Sequence, residues 1–435
     1  MTQLHHIVIV GGGAGGLELA TKLGNKLGRK QKARITLVDV ALTHVWKPLL
    51  HEVAAGSLNS DASQVNFRAH AQQHFFEFQL GELSGLDRAN KNILLAPIVD
   101  DLGQEVVEKR QLNYDSLVIA VGSSANDFGT AGAIEHCLFL DSLKQARNFH
   151  QILLNAFLRK EFQQGSDAQK LSIAIVGAGA TGVELAAELR HASRQMAHYG
   201  MHKVTADKVE LKVIEAANRV LPALPERLSK SAARELKRLD IEVLTSNAVA
   251  EVTSTGLLFN DKSALEADIK VWAAGVKAPQ CLTQLDGLET NKINQLKVKQ
   301  TLETSLDDAI FAFGDCAECP QENSDRPVPP RAQSAHQQAS TLVKTLTARL
   351  DNKAAIPFVY RDYGSLISFS KYTTVGNMMG NLSGKSMFIE GRVARLFYVS
   401  LYRMHQVALH GFLRTGVIWL SDKVSKALHP RMKLH

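Results

Sequence analysis

Two sets of three glycines with the same spacing are the first residues in this 435-residue chain whose pattern implies chemistry: Gly11, Gly13 and Gly16, then Gly177, Gly179 and Gly182. In such a turn the first glycine makes the tight bend and the second lets backbone approach a pyrophosphate. The third lets the following helix pack close to the preceding strand, so the helix N-terminus faces the phosphates. Gly15 belongs to the first loop as well. An acid ends the next strand after each turn, Asp39 in RITLVDV and Glu215 in ELKVIEA, placed to accept hydrogen bonds from a ribose diol.

The elements that must hold these residues recur twice. HHIVIVGGGAGGLELATKLG (5–24) and LSIAIVGAGATGVELAAELR (171–190) each read as a β-branched strand, a glycine turn and an amphipathic helix. LNYDSLVIAVGSSAN (112–126) and ALEADIKVWAAGVKAP (264–279) each read as a strand running into a glycine turn, marked by Gly122 and Gly275. AIFAFGDCAE (309–318) is a further strand and turn, carrying Asp315. The expected fold is therefore α/β, with two Rossmann-like dinucleotide-binding domains. A unit beginning at residue 7 and completed only by the strand before Gly314-Asp315 has the arrangement of two-dinucleotide flavoproteins. The first site is expected to hold FAD, with Asp315 on its ribityl or phosphate region, and the inserted unit NAD(H). A carboxylate at 215 repels a 2′-phosphate, which favours NADH over NADPH; Arg219 works against that preference. The boundaries read as 1–125 and 291–384 for the two parts of the FAD domain, 126–290 for the inserted NAD(H) domain, and 385–435 for a C-terminal helical region.

Charge sorts the remaining possibilities. The net +7 resides in the tail, where residues 392–435 carry eight Lys/Arg against one acid, Asp422, leaving the rest neutral. A diffuse nucleic-acid-binding surface does not fit that distribution. Within the tail, apolar residues at 393, 397, 401, 404, 408 and 412 form one helical stripe, with Arg392, Arg395, Arg403, Gln406, His410 and Arg414 opposite. Arginines at 395, 403 and 414 would each cost about 2.5–3.5 kcal/mol at a bilayer centre, so a membrane span is not expected. An interfacial helix on an anionic membrane surface is, with Trp419, Tyr398 and Tyr402 at headgroup depth. The N-terminus offers no room for a signal peptide before the strand at Ile7.

Four scattered cysteines, Cys137, Cys281, Cys316 and Cys319, indicate no disulfide scaffold. The stretch after the first unit, VDVALTHVWKPLLHEVAAGSL, contains none, which argues against dithiol or sulfur-carrying flavin chemistry. Cys316-x-x-Cys319 has no second pair or adjacent histidine, so no metal is expected.

The stretches IVIVGGGAGGLELA, THVWKPLLHEVAAGSL, AIVGAGATGVELAAEL, VWAAGVKAP, FAFGDCAECP, VPPRAQSAHQQA and LYRMHQVALHG together resemble the type II NADH:quinone oxidoreductases, the non-proton-pumping respiratory enzymes of bacterial membranes. The resemblance implies non-covalent FAD, NADH as donor, and ubiquinone or menaquinone as acceptor. It places the chain in a respiratory electron-transport chain, peripheral on the cytoplasmic face of the bacterial inner membrane, and leaves a homodimer open. It also implies roles for individual residues. Ala332-Gln333-Ser334-Ala335-His336-Gln337 stands where the family's AQxAxQ motif lines the quinone approach, so Gln333 and Gln337 are expected there, and His336 is a candidate proton donor. Glu184 would position nicotinamide or relay protons, and Lys47 would offset negative charge on the flavin. The competing functions are a soluble NADH oxidase or diaphorase and an NADH-binding redox sensor.

Overall fold

The computed structural model describes residues 4–61, 64–163, 170–203, 205–322, 324–379 and 386–428. In chain order, the elements that bear on function begin with strand β1 (His5–Val10), helix α1 (Ala14–Leu23), strand β2 (Ala33–Asp39) and helix α2 (Leu50–Ala54). Strands β3 (Glu77–Leu80) and β4 (Ser116–Ile119), helix α3 (Leu143–Phe162) and strand β5 (Leu171–Val176) follow. Helix α4 (Ala180–His198), strand β6 (Val209–Glu215), helix α5 (Glu226–Arg238) and strands β7 (Ile241–Thr245), β8 (Ile269–Trp272) and β9 (Ile310–Ala312) come next. Helix α6 (Ala332–Leu350), strands β10 (Gly364–Phe369), β11 (Thr373–Met379) and β12 (Ser386–Glu390), and helix α7 (Gly391–Leu428) complete the order.

These elements fall into two compact units. The first comprises Met1–Trp46, Ser63–Ser124 and Val276–Arg361; the second comprises Lys47–Ala62, Ala125–Gly275 and Asp362–His435. The first unit is built on a five-stranded parallel sheet in the order β9-β4-β1-β2-β3. In β1 the run Ile7-Val8-Ile9-Val10 is buried on both faces, as expected of a central parallel strand whose side chains alternate between two covered surfaces. β9 joins the sheet nearly two hundred residues after β4, with Ala312 opposite Ile119.

The second unit repeats the plan in a four-stranded parallel sheet, β7-β6-β5-β8, in which Val176 lies between Ile214 and Trp272. Helix α3 starts at a capping box: the Ser142 side chain accepts from the Gln145 N–H, while the Gln145 side chain accepts from the Ser142 N–H. Helix α4 is buried around most of its circumference from Gly182 to Ser193, so even its acids, Glu184 and Glu188, are withdrawn from water. The antiparallel sheet β10-β11-β12 belongs to the same unit, and α7 packs on it.

Helix α7 breaks at Gly411, whose φ of 76° and ψ of 170° are non-helical. Across the break, Arg403 donates to Asp422 at 2.9 Å, tying the two halves together, while it also donates to Gln406 of its own half at 2.5 Å. The side turned towards the protein carries Ala394, His405, Gln406, Leu409 and Thr415. The apolar stripe points the other way: Val393, Phe397, Leu401 and Met404 are exposed, and beyond the break Phe412 and Leu413 are 83% and 89% exposed. Trp419 is also exposed, with the Lys423 ammonium 3.9 Å above its ring. Tyr398, expected at headgroup depth, instead turns inward and bonds a buried carboxylate described below. Among the described residues no helix is long and apolar enough to cross a membrane.

Candidate active site

Each glycine loop is held by the acid that follows it. Gly11 donates its N–H to the Val38 carbonyl at 2.8 Å, and Gly177 donates to the Ile214 carbonyl at 2.7 Å. Both glycines have a φ of 105°, and a Cβ on Gly11 would lie 2.3 Å from the Ala120 carbonyl oxygen. Gly16 and Gly182 are as tightly placed, each against the carbonyl of the first glycine in its loop. Gly15 faces Phe313 at close range. Gly13 and Gly179, by contrast, have open space where a Cβ would point, which is the room a pyrophosphate needs above a helix N-terminus. Two loops of this shape, each opening a helix, fit two dinucleotides.

Asp39 accepts from the N–H groups of Gly12 at 2.5 Å and Ala41 at 2.8 Å. Glu215 does the same for Ala178 and Ala217, both at 2.9 Å. Burial pushes the Asp39 carboxyl above its ordinary value against the pull of those N–H donors. The two acids therefore brace their loops as well as ending their strands. Each carboxylate oxygen can still accept from a ribose hydroxyl. Arg219 bonds the Pro222 carbonyl at 2.8 Å.

The remaining first-unit residues lie near the C-terminal ends of the sheet strands. Gly122 follows β4 with a φ of 73° and open space at its Cβ position. Asp315, just after β9, accepts from the Ser123 hydroxyl at 2.8 Å, while its carbonyl accepts from Gln295 at 2.9 Å. Gln333 sits in the first turn of α6. Both ends of the Gln337 amide are engaged by the Arg361 backbone, at 2.8 and 3.0 Å, so Gln337 fastens the chain beyond α6. His336 bonds the Glu18 carboxylate at 2.6 Å, and Lys22 donates to the other Glu18 oxygen at 2.6 Å and to Ser340 at 3.0 Å. Glu18 is 1% exposed. This clasp between α1 and α6 was invisible in the sequence because its halves are 318 residues apart.

Cys316 and Cys319 are both buried with their thiols free, and burial pushes each up to about 12. The Cys316 thiol donates to the Phe313 carbonyl at 3.2 Å. These are packed neutral thiols.

In the second unit Lys47 stands 3.4 Å from Asp141, whose carboxylate accepts from the Ala125 N–H. Gly275 has a φ of 63°, and a Cβ there would meet the Phe128 ring at 2.4 Å. Glu184 is at the centre of a buried polar cluster. It accepts from the Ser368 N–H of β10 at 2.9 Å and from the Tyr398 hydroxyl of α7. His51 Nδ1 of α2 lies 4.0 Å from its second oxygen. Burial, aided by the nearby Glu52 and Glu188 carboxylates, pushes Glu184 up to about 8 despite the Ser368 donor. His51 is pushed down to about 4 by burial and is neutral. Burial also raises Glu188, which accepts from the Ser57 hydroxyl at 2.8 Å. One ligand-type atom each from His51, Glu52 and Glu188 lie within 4.8 Å of one another. Glu188, Ser57 and Ser370 were not singled out by sequence reasoning, and Tyr398 was expected in a different role. The i, i+4 repeat of acids in the otherwise apolar stretch Gly182–Leu189 was the available signal.

Residues 5–339 match the pyridine nucleotide-disulphide oxidoreductase family. A type II NADH:quinone oxidoreductase of Haemophilus influenzae is 46% identical over 99% of this chain and 100% of its own length. One from Staphylococcus aureus is 28% identical over 87% of this chain and 91% of its own. Among solved structures, the NDH2 of Plasmodium falciparum in complex with NADH superposes with a TM-score of 0.84 at 19% identity, covering 99% of this chain and 100% of that one. A sulfide:quinone oxidoreductase of Aquifex aeolicus reaches 0.72 at 16% identity, over 97% of this chain and 95% of that one. With the glycine loops, the tail and the buried acid cluster in place, these similarities identify the chain as a member of the type II NADH:quinone oxidoreductases, within the pyridine nucleotide-disulphide oxidoreductase family.

Proposed function

We propose that this chain is a FAD-dependent enzyme that moves two electrons from NADH to a membrane quinone without pumping protons, working from the surface of the bilayer. The single observation that carries the electron-transfer reading is the pair of braced glycine loops, each open at its second glycine, in a chain 46% identical to a type II NADH:quinone oxidoreductase. FAD, when bound, supplies the redox chemistry that links a hydride donor to a quinone. The chain's own residues bind, orient and protonate. The loop at Gly11–Gly16, with Asp39, Gly122 and Asp315, holds FAD. The loop at Gly177–Gly182, with Glu215 and Gly275, holds NADH, and the Glu215 carboxylate disfavours a 2′-phosphate.

Gln333 offers an amide that can donate to a quinone oxygen, or accept from a quinol hydroxyl, and Lys47 contributes positive charge to offset the negative charge of the reduced flavin. Glu184, pushed up to about 8 by burial, carries a proton at neutral pH and is the acid that gives it up during quinone reduction. The helix Gly391–Leu428 rests on the anionic cytoplasmic face of the membrane with its exposed apolar stripe in the acyl boundary. An apolar stripe turned away from the protein is what an interfacial helix requires and what a core helix would avoid.

Anaerobic reduction by NADH followed by reoxidation with a soluble quinone tests this reading. Wild type should bleach and recover its flavin absorbance; Gln333→Ala should bleach normally and recover more slowly. A purified protein holding no flavin, or a flavin that NADH leaves coloured, would overturn it.

A further inference from the structure

Quinone reduction by NADH has a proton balance that the acids of the second unit must satisfy. NADH delivers a hydride, which is two electrons and one proton; quinol carries two electrons and two protons. One further proton per turnover must therefore come from water. Glu184 can hand over a proton, but its carboxyl is engaged inside the unit by the Ser368 N–H and the Tyr398 hydroxyl, so the next proton must reach it through a neighbouring side chain.

We propose that Glu188 is the relay through which Glu184 is reprotonated, receiving protons by way of the half-buried Ser57 hydroxyl and passing them inward past His51. This rests on the assignment of Glu184 as the proton donor. Three elements present a pair of residues to the same seam. Glu184 and Glu188 are one turn apart on α4, Ser368 lies in β10 with Ser370 in the turn just after it, and Arg395 and Tyr398 are one turn apart on α7. The inner end of the seam is Glu184, with its Ser368 and Tyr398 donors. The other end is Glu188, itself buried, whose outward link is the half-buried Ser57 hydroxyl at 2.8 Å. The Ser370 hydroxyl stands beside the same carboxylate, and the exposed Lys371 and Arg395 act on it electrostatically.

Between the two acids lies His51, 4.0 Å from Glu184 and within 4.8 Å of Glu188 and Glu52. Single bridging waters span separations of this size. The neutral His51 ring is important here. A cation in its place would pin both carboxylates ionised, whereas burial raises Glu188, as it raises Glu184, towards the protonated form. Lys371 and Arg395 pull the Glu188 carboxyl down against the larger, raising effect of burial. Glu188 acts through Glu184, as a positioning and relay residue.

The test uses full-length, FAD-loaded Glu188→Gln, Glu188→Ala and Glu184→Gln. In Glu188→Gln, anaerobic flavin reduction by NADH should match wild type, while reoxidation by quinone slows by at least about tenfold with a larger solvent deuterium effect. Turnover with ferricyanide, which takes electrons without protons, should be preserved. Small weak acids should restore quinone reoxidation in Glu188→Ala. Independently of activity, the difference in thermal midpoint between wild type and Glu188→Gln should change with pH, because the carboxyl titrates only in the former.

Wild-type quinone reoxidation in Glu188→Gln beside slowed reoxidation in Glu184→Gln would overturn the relay and leave the donor assignment standing. Wild-type reoxidation in Glu184→Gln would remove the donor and the relay with it. Equal losses with ferricyanide and quinone, no weak-acid rescue and a pH-independent midpoint difference would reduce Glu188 to a structural residue.

Discussion

Replacing Glu184 with glutamine should make this protein more stable, and only where the carboxyl of the unfolded chain is ionised. Burial raises the folded-state value from 4.5 to about 8, so the folded protein binds a proton that the unfolded chain has released. A raised folded-state value means stability is fully present below about pH 4.5 and is lost as pH rises towards 8, at about 1.4 kcal/mol per unit. At pH 7 the accumulated loss is about 3 kcal/mol, an upper bound because water entry and relaxation soften buried charges. Glutamine keeps an oxygen for the Ser368 N–H and an amide for the Tyr398 hydroxyl, without the titration. Wild type and Glu184→Gln should therefore unfold together near pH 4.5 and separate as pH rises. The variant should gain up to about 6–12 °C in the second unit's transition at pH 7, taking 2–4 °C per kcal/mol for a unit of that size. Differential scanning calorimetry with FAD in excess, from pH 4.5 to 8.5, measures the separation directly. A constant offset across that range, or a wild type more stable at pH 8 than the variant, would refute the buried-acid reasoning.

Phe412→Glu/Leu413→Glu should shift the protein from anionic vesicles to the supernatant in a flotation assay. Two large apolar side chains this exposed contribute about 4 kcal/mol to partitioning, near a thousandfold. Deleting residues 392–435 is a poorer test, since it also strips Tyr398 from Glu184. Glu18→Gln should lower the thermal midpoint of the first unit, with a loss of about 1–3 kcal/mol once the exposure of Lys22 and His336 is discounted. Asp39→Ala leaves the Gly12 and Ala41 N–H groups without their acceptor, and the purified variant should retain less FAD by absorbance. Iodoacetamide at pH 8 should leave Cys137, Cys316 and Cys319 unmodified in the native protein, because burial holds all three thiols up at about 12; peptide mapping reads the result.

The glycine loops and their acids were readable from sequence because a dinucleotide turn is a local device: strand, bend, helix and acid fall between His5 and Asp39 in one unit and between Leu171 and Glu215 in the other. The strand Ile310–Ala312 was readable for a different reason, as an apolar run ending in Gly-Asp whose only place was a sheet begun much earlier. The buried cluster was half readable. Glu184 stood next to a motif, but Ser368 and Tyr398 come from more than 180 residues away and bond it by tertiary packing alone. In the tail, periodicity found the apolar stripe and could not say which way it faces. The same three- and four-residue spacing serves a helix that meets a core and one that meets a bilayer. Periodicity also treated Gly411 as one more helical residue, since only tertiary contacts such as Arg403 to Asp422 reveal that the helix breaks there.

Asp39 and Glu215 have a consequence for assembly. Because each carboxylate already fastens the bend it serves, through Gly12 and Ala41 in one case and Ala178 and Ala217 in the other, the two cradles are rigid before any nucleotide arrives. An incoming dinucleotide meets a finished seat, so little of its contact energy is diverted to ordering main chain. The coenzyme that must leave after every cycle can then do so without its receptacle collapsing behind it.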